Sequence, residues 1–481
     1  MRIDHDFRRF NFGFADSITE YKQAPRLLQD GYYDLGGIEE RVINSHEFLL
    51  LGYKGSGKSA VGARLRLLAK DSPGQFSVPP PVLVDELPLS QFRGVVPDSM
   101  GAEVKHRNAW MLHLLVQVSN ALAQDGQGES ESRKRLSSVS DQLKKHGVTP
   151  QRPSTMRWFR ANKVTATVGA AGIANLAAEL ERQTDTSTLM DWLDYLKRET
   201  SQFRSTRRHF LFLDGLDDLS LIREGRSEQL GGLVRAVTDL NREYAENDSP
   251  VKILLCCRTD LYEKVSLPRR GKIRRDYGLE LNWYQDPRDY RTTHLARLAH
   301  MRAQLVDKGC SDIFDEFFPP KLFREVAAKS ILLQTRHTPR DLLQLLKIIQ
   351  KYTEAPGVIP DDKVKAGVRE YSKIYLMDEM RDALHAYFGD KDISRIETLL
   401  GILHRRKFTF EDARSAIETD PRFGKDFDLH MALDALFETS FIGNVTPQGY
   451  FYFKYRNPEV SLSYEDDMQL HPGLWKALNV A

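Results

Sequence analysis

Eight consecutive residues carry the densest chemical signal in the chain: Gly52-Tyr53-Lys54-Gly55-Ser56-Gly57-Lys58-Ser59. They fit the spacing G-x-x-x-x-G-K-S, and Ala60 continues the run into a segment with helical apolar spacing. Glycines let such a turn point its backbone N–H groups inward, which makes a nest for an anion. A helix opening at Lys58 adds the positive end of its dipole. Lys58 can then reach the β- and γ-phosphates of a nucleotide, and Ser59 can bind Mg²⁺. The alternative is a Gly-rich turn that binds nothing.

A second run ends in a carboxylate. His209-Phe-Leu-Phe-Leu-Asp214 places four apolar residues before Asp214, which would hold Mg²⁺ through water. The next residues are Gly215-Leu216-Asp217-Asp218. Asp217 or Asp218 would polarise the attacking water of a hydrolase, or else cap the following helix. Arg258 directly follows the apolar run Val251–Cys257 and would face the same crevice as Asp214. There it would sense the γ-phosphate, or else pair with a surface carboxylate. The nucleotide is read as ATP. The N-K-x-D pattern of a guanine site is missing, since Cys257-Arg-Thr-Asp260 has neither Asn nor Lys and Asn162-Lys163-Val-Thr165 lacks the Asp. LSGGQ is absent too.

The elements that must position these residues alternate between strand and helix. Glu47–Leu51 is a short apolar strand entering the Gly-rich turn, and Val61, Leu65 and Leu68 recur at helical spacing after it. Strands are expected at Val82–Leu87, His209–Leu213, Val251–Cys257 and Leu279–Trp283, and helices at Trp110–Leu122, Leu189–Phe203 and Glu228–Tyr244. That alternation indicates an α/β fold with a mostly parallel sheet flanked by helices. Asp125–Pro153 is polar and reads as a surface insertion or flexible loop. It accounts for part of the wide gap between Lys58 and Asp214. Ser17-Ile-Thr-Glu20 fits a capping box. Beyond Pro287 the chain is mainly helical. Helices at 394–404, 410–417 and 429–438 precede a hairpin formed by 441–445 and 450–455, which is the order of a winged helix. The expected domains are a lead-in over 1–35, a P-loop core over 36–290, a helical lid over 291–375, and a winged-helix-like domain with a tail over 376–481.

The 481 residues suggest about three domains. With 41 % hydrophobic and 28 % charged residues, the composition excludes a disordered chain, a collagen-like fibre and a disulfide scaffold. Lysine plus arginine number 69 against 67 acids, so the whole-chain field does not favour nucleic acid. Three cysteines, two of them adjacent at Cys256 and Cys257, fit a reducing cytoplasm. No signal-peptide pattern or membrane-length apolar run is found. The nearest approach is Val164–Ala178, which is short and carries Asn175. A cytoplasmic protein without membrane attachment is expected.

LFLDGLDDL resembles the Mg²⁺ strand of NACHT-type STAND ATPases, and KILLCCRTDL resembles their following sensor strand. His337-Thr-Pro-Arg340-Asp-Leu-Leu resembles the second sensor of AAA+ and origin-recognition-type ATPases, with Arg340 in the sensing position. Thr338 can cap a helix and Pro339 fits its first turn, so Arg340 would project from a helix start. An ordinary exposed helix arginine is the alternative. FGFADSITEY and the closing His471-Pro-Gly-Leu-Trp-Lys-Ala-Leu478 are similar to a little-characterised group of bacterial P-loop ATPases. The order of motifs departs from many STAND proteins in carrying no familiar receptor repeats or amino-terminal effector domain.

The resemblance implies an ATP-driven molecular switch. ATP binding would close the lid through Arg340 and Arg258, favour a homo-oligomer and control a protein partner, as in bacterial defence against phage. The basic run Arg269-Arg-Gly-Lys272-Ile-Arg274-Arg275 would complete a neighbour's site, or else form a solvated loop. The alternative function is an origin-recognition-like ATPase that binds DNA through that run and through Lys454 and Arg456. Against it, the expected recognition helix 427–438 carries Asp428, Asp434 and Glu438 and neither Arg nor Lys. A small-molecule kinase would leave the sensor residues and the winged end without a role.

Overall fold

The structure is a computed structural model that describes residues 5–84, 102–145, 186–216 and 227–480. Asp217, Asp218, Asn162, Lys163 and Val164–Ala178 lie outside the described residues. The chain divides into two compact units, one of residues 39–51 and 65–279, the other of 1–38, 52–64 and 280–481.

The first unit is built on a six-stranded parallel sheet. Its strands are β1 (Leu49–Gly52), β2 (Phe76–Ser77), β3 (Val82–Leu83), β4 (Arg208–Asp214), β5 (Val251–Arg258) and β6 (Gly278–Glu280). They run in the order β2-β4-β5-β1-β6, with β3 also paired to β4. Strands covered on both faces need continuous apolar runs, and β1, β4 and β5 supply them as LLL, FLFL and ILLCC. Leu213 of β4 pairs with Leu255 of β5, so the two strands end on one edge of the sheet. Helices Ala102–Ala123 and Ser227–Glu246 pack together beside the sheet. Their backbones approach closely at Gly232, where a Cβ would lie 2.8 Å from that of His106.

The polar stretch 125–153 is not a flexible loop where it is described. Helix Ser130–Lys145 occupies most of it and buries Leu136 and Val139. Asp125, at its start, is buried and bonded to Ser205, Arg207 and His209, so the segment is tied to the first residues of β4. The basic run 269–275 likewise differs from the expected loop. Helix Arg270–Tyr277 forms there, and Glu263 pairs with both Arg270 and Arg274. The strand expected at Leu279–Trp283 is confined to β6.

In the second unit the first residues are part of a core rather than a separate lead-in. Phe7 and Phe10 pack against Phe317 at ring separations of 5.7 and 5.1 Å, and Phe7 meets Phe318 edge-on. The capping box expected at Ser17 is replaced by its neighbour. Asp16 caps helix Ser17–Gln23 by accepting from the N–H groups of Ile18 and Thr19. Glu20 is thereby released to form a buried pair with Arg302 at 2.6 Å.

The chain from 280 onward is helical up to Leu403, interrupted by the two-stranded hairpin of β7 (Lys321–Leu322) and β8 (Glu325–Val326). An antiparallel four-stranded sheet follows, formed by β9 (Lys407–Phe408), β10 (Ile442–Val445), β11 (Phe451–Tyr452) and β12 (Asp467–Leu470) in the order β11-β10-β12-β9. Helices Phe410–Thr419 and Leu429–Glu438 lie between β9 and β10 in sequence. The β10–β11 turn needs Gly449 at φ +82°. No helix among the described residues is long and apolar enough to cross a membrane.

Candidate functional site: a glycine loop held by a capped helix

β1 ends at Gly52 and helix Lys58–Asp71 begins six residues later. The turn between them requires the left-handed backbone at Gly55 (φ +84°) and Gly57 (φ +96°), which side chains rarely tolerate. A Cβ at Gly52 would collide with the Ser56 hydroxyl. That hydroxyl is buried and has no hydrogen-bond partner among the described residues. Ser56 is fixed through its backbone: its N–H donates to the Tyr53 carbonyl at 3.1 Å, and its carbonyl accepts the indole N–H of Trp283 at 2.8 Å. Lys58 is buried, and its Nζ donates to the carbonyls of Gly52 and Tyr53 at 3.0 and 3.1 Å. Ser59 and Ala60 lie half-buried in the first helical turn, where Ala60 and Val61 donate to the Gly57 carbonyl. The loop is therefore a tight glycine turn whose own carbonyls hold the Lys58 ammonium group.

The same unit holds this loop from its C-terminal part. Helix Pro339–Lys351 starts with Pro339 after Thr338, whose hydroxyl accepts from the Asp341 N–H at 3.2 Å. The Arg340 N–H donates to the Gly55 carbonyl at 3.3 Å. A Cβ added at Gly55 would sit 3.1 Å from the Arg340 Cβ and 3.2 Å from the Thr338 hydroxyl. The expected helix start is present, and its arginine lies against the loop. Tyr53 adds a third tie by donating its hydroxyl to the Lys454 carbonyl at 3.3 Å.

Behind Arg340 lies a buried polar network. Arg336 binds both oxygens of Asp341 at 2.9 Å and reaches Glu379 at 3.1 Å. Burial opposes the charged forms of both Arg336 and Asp341. Their mutual attraction more than offsets it, raising the Arg336 pKa and lowering that of Asp341. Tyr375 donates to Asp341 at 3.1 Å. Glu379 also faces Lys54 at 3.7 Å and the Arg340 guanidinium at 4.0 Å, while Lys54 has a closer contact with Asp382 at 3.2 Å. One carboxylate thus meets two cations of the loop region and one of the buried network. No motif in the sequence singled out Glu379. It lies far along the chain from Arg340, in a helix whose pattern is ordinary.

Asp214 and Arg258 belong to the other unit. Both sit at the carboxyl ends of adjacent parallel strands, and β1 belongs to the same parallel sheet. Asp214 is half-buried and accepts from the Gly215 N–H at 2.9 Å. Arg258 pairs with a carboxylate, as its alternative reading expected, but not at the surface. It is only 3 % exposed and is bound in a two-pronged pair to Asp260, at 3.0 and 2.6 Å. Asp217 and Asp218 fall outside the described residues.

No family model matches this chain, and no curated protein matches it.

Proposed function

We propose that this chain is a Mg²⁺-dependent, ATP-binding and ATP-hydrolysing molecular switch of STAND/AAA+ type. The observation that carries the reading is the Gly55–Arg340 joint. A glycine loop with the residue spacing of a phosphate site is hydrogen-bonded, through its own backbone, to the capped start of a helix in the C-terminal part of the chain.

The residues fit the ligand. Gly55 and Gly57 give the loop its left-handed turns, and the Ser56 hydroxyl, which has no partner among the described residues, lies buried within it. Bound Mg²⁺, held by Ser59 and Asp214, would neutralise phosphate charge. Lys58 would exchange its two carbonyl contacts for phosphate oxygens, a stronger charge-assisted pairing. Lys54 and Arg340 would exchange Glu379 for the same anion. Asp217 or Asp218 remains the proposed group that orients the attacking water. Release of Glu379 would then loosen the contact network around Arg336 and Asp341 and report the nucleotide to the C-terminal elements.

We read residues 376–481 as a winged-helix-like domain and tail whose surface serves a protein partner. Lys454 is held by Glu438 and the Val460 carbonyl, and Arg456 by Asp286 and the Phe451 carbonyl. Those two wing cations are thus engaged inside the chain rather than presented to phosphates. Self-association on ATP binding, cytoplasmic location and a role in defence against phage belong to this proposal through the family resemblance.

Equilibrium titration with ATP and Mg²⁺ tests the site. Lys58→Ala is expected to weaken binding about tenfold to a hundredfold, the loss of one charge-assisted contact. An affinity equal to wild type would remove the loop from the account.

A further inference from the structure

The unit that carries the glycine loop also contains a cavity of about 930 Å³, lined by other residues. Its chemistry is one-sided. Arg405, Arg406, Lys407, Lys329 and Arg456 line it, against the single carboxylate of Glu325. Glu325 is already paired with Lys329 at 3.0 Å, Arg405 with Asp412 at 3.3 Å, and Arg456 with Asp286 at 3.1 Å. Arg406 and Lys407 have no ion pair among the described residues, so the cavity keeps a net positive rim.

The walls are aromatic. Tyr284, Phe453, Tyr455 and Trp475 all line the space. Phe453 and Tyr455 stack with their planes 8° apart, and the Arg406 guanidinium lies 4.1 Å from the centre of the Trp475 ring. Tyr455 is 5 % exposed and forms part of the buried wall. Flat π-faces beside unpaired cations suit a ligand that is itself flat and anionic. Aromatic faces stack bases, and guanidinium groups take phosphate oxygens in pairs. Cavities of this size hold small ligands rather than chain segments.

We propose that this cavity is a regulatory binding site for a second nucleotide-type ligand, a planar heterocycle carrying phosphate, distinct from the ATP of the loop. The heterocycle stacks on Trp475 or Tyr284, whose rings are only half-buried, and the phosphate meets Arg406 and Lys407. The cavity also has a physical route to the loop. His337 lines it, packing 5.0 Å from the rings of both Tyr284 and Tyr455. His337 holds a left-handed backbone at φ +52° and is followed by Thr338, Pro339 and Arg340, whose N–H binds Gly55. A ligand that shifts His337 therefore changes the angle at which Arg340 meets the loop. This coupling rests on the ATP reading; the binding site itself does not.

Calorimetric titration of the full chain carrying Lys58→Ala isolates the cavity from the loop. The probes are AMP, GMP, cyclic di-AMP and cyclic di-GMP, with adenosine as the ring alone and pyrophosphate as the anion alone. At least one nucleotide is expected to bind more tightly than adenosine or pyrophosphate. Arg406→Ala is expected to weaken that binding at least tenfold, and Lys407→Ala serves as a second variant should Arg406→Ala fold poorly. Absence of binding by all four nucleotides would overturn the proposal. So would pyrophosphate binding as tightly as any nucleotide, or nucleotide binding indifferent to both substitutions. In the wild-type chain the bound nucleotide should change ATP affinity at least threefold, and an unchanged ATP affinity would overturn the coupling. An ATP affinity untouched by Lys58→Ala would count against the loop alone, because the cavity is judged through Arg406 and Lys407.

Discussion

Glu379 is the residue on which the resting arrangement turns. It pairs with Arg336 at 3.1 Å and stands within 4.0 Å of Arg340 and 3.7 Å of Lys54, two cations beside the glycine loop. A phosphate arriving at the loop competes with that carboxylate for Lys54 and Arg340. Glu379→Gln removes the competitor and keeps the shape. ATP should then bind about threefold to tenfold more tightly, the effect of roughly 1 kcal/mol. The fold should lose about 1–3 kcal/mol, because buried Arg336 forfeits part of its compensation. Titration and chemical denaturation read the two effects, and weaker ATP binding would reject Glu379 as a competitor. At this scale the sequence was uneven. Lys58 and its glycines were legible because seven neighbouring positions define one turn. Arg340 was legible because Thr338 and Pro339 announce a helix start. Glu379 and the Asp260 partner of Arg258 were not, since each depends on which carboxylate folding brings near a cation.

Among the elements, the joint between the loop and helix Pro339–Lys351 carries the account. Gly55 accepts the Arg340 N–H and must do so at φ +84°, with the Arg340 Cβ and Thr338 hydroxyl close by. Gly55→Ala imposes a left-handed alanine and presses both neighbours at once. It should cost about 1–3 kcal/mol in stability and weaken ATP binding. A variant with wild-type melting and affinity would show that the joint is slack. Most strands and helices could be read from apolar spacing, because β4, β5 and helix Ser227–Glu246 bury regular faces. The misses have physical causes. Helix Ser130–Lys145 is strongly polar and buries only a narrow stripe that includes Leu136 and Val139. Helix Arg270–Tyr277 has Ile273 as its one buried residue and gains support from Glu263. At helix Ser17–Gln23 two adjacent cap residues compete, and Asp16 takes the role from Ser17, which leaves Glu20 to pair with Arg302.

For the whole molecule, the division into units could not be read along the chain. The first 38 residues join the C-terminal half through Phe7, Phe10 and the Glu20–Arg302 pair, contacts between residues 282 or more positions apart that leave no local pattern. Stability of the assembled fold should depend on acid in a defined direction. Burial lowers the pKa of His113 to about 4 and those of His337 and His471 to about 3. In the unfolded chain each takes up a proton near pH 6.5, whereas the folded chain keeps them neutral. Stability is therefore complete above about pH 6.5 and falls as pH drops toward 4, by up to about 1.4 kcal/mol per unit for each histidine. Calorimetry should find a lower Tm at pH 5 than at pH 7.5, and a Tm equal or higher at pH 5 would contradict the buried neutral histidines. The central claim, an ATP-driven switch that assembles, is tested most directly by the mass of the chain in solution. The conditions are no nucleotide, ADP, and a non-hydrolysable ATP analogue with Mg²⁺, each with and without duplex DNA. The account predicts a larger species with the ATP analogue alone and no further change with DNA. A mass that stays the same with the ATP analogue, or rises only when DNA is added, would contradict it.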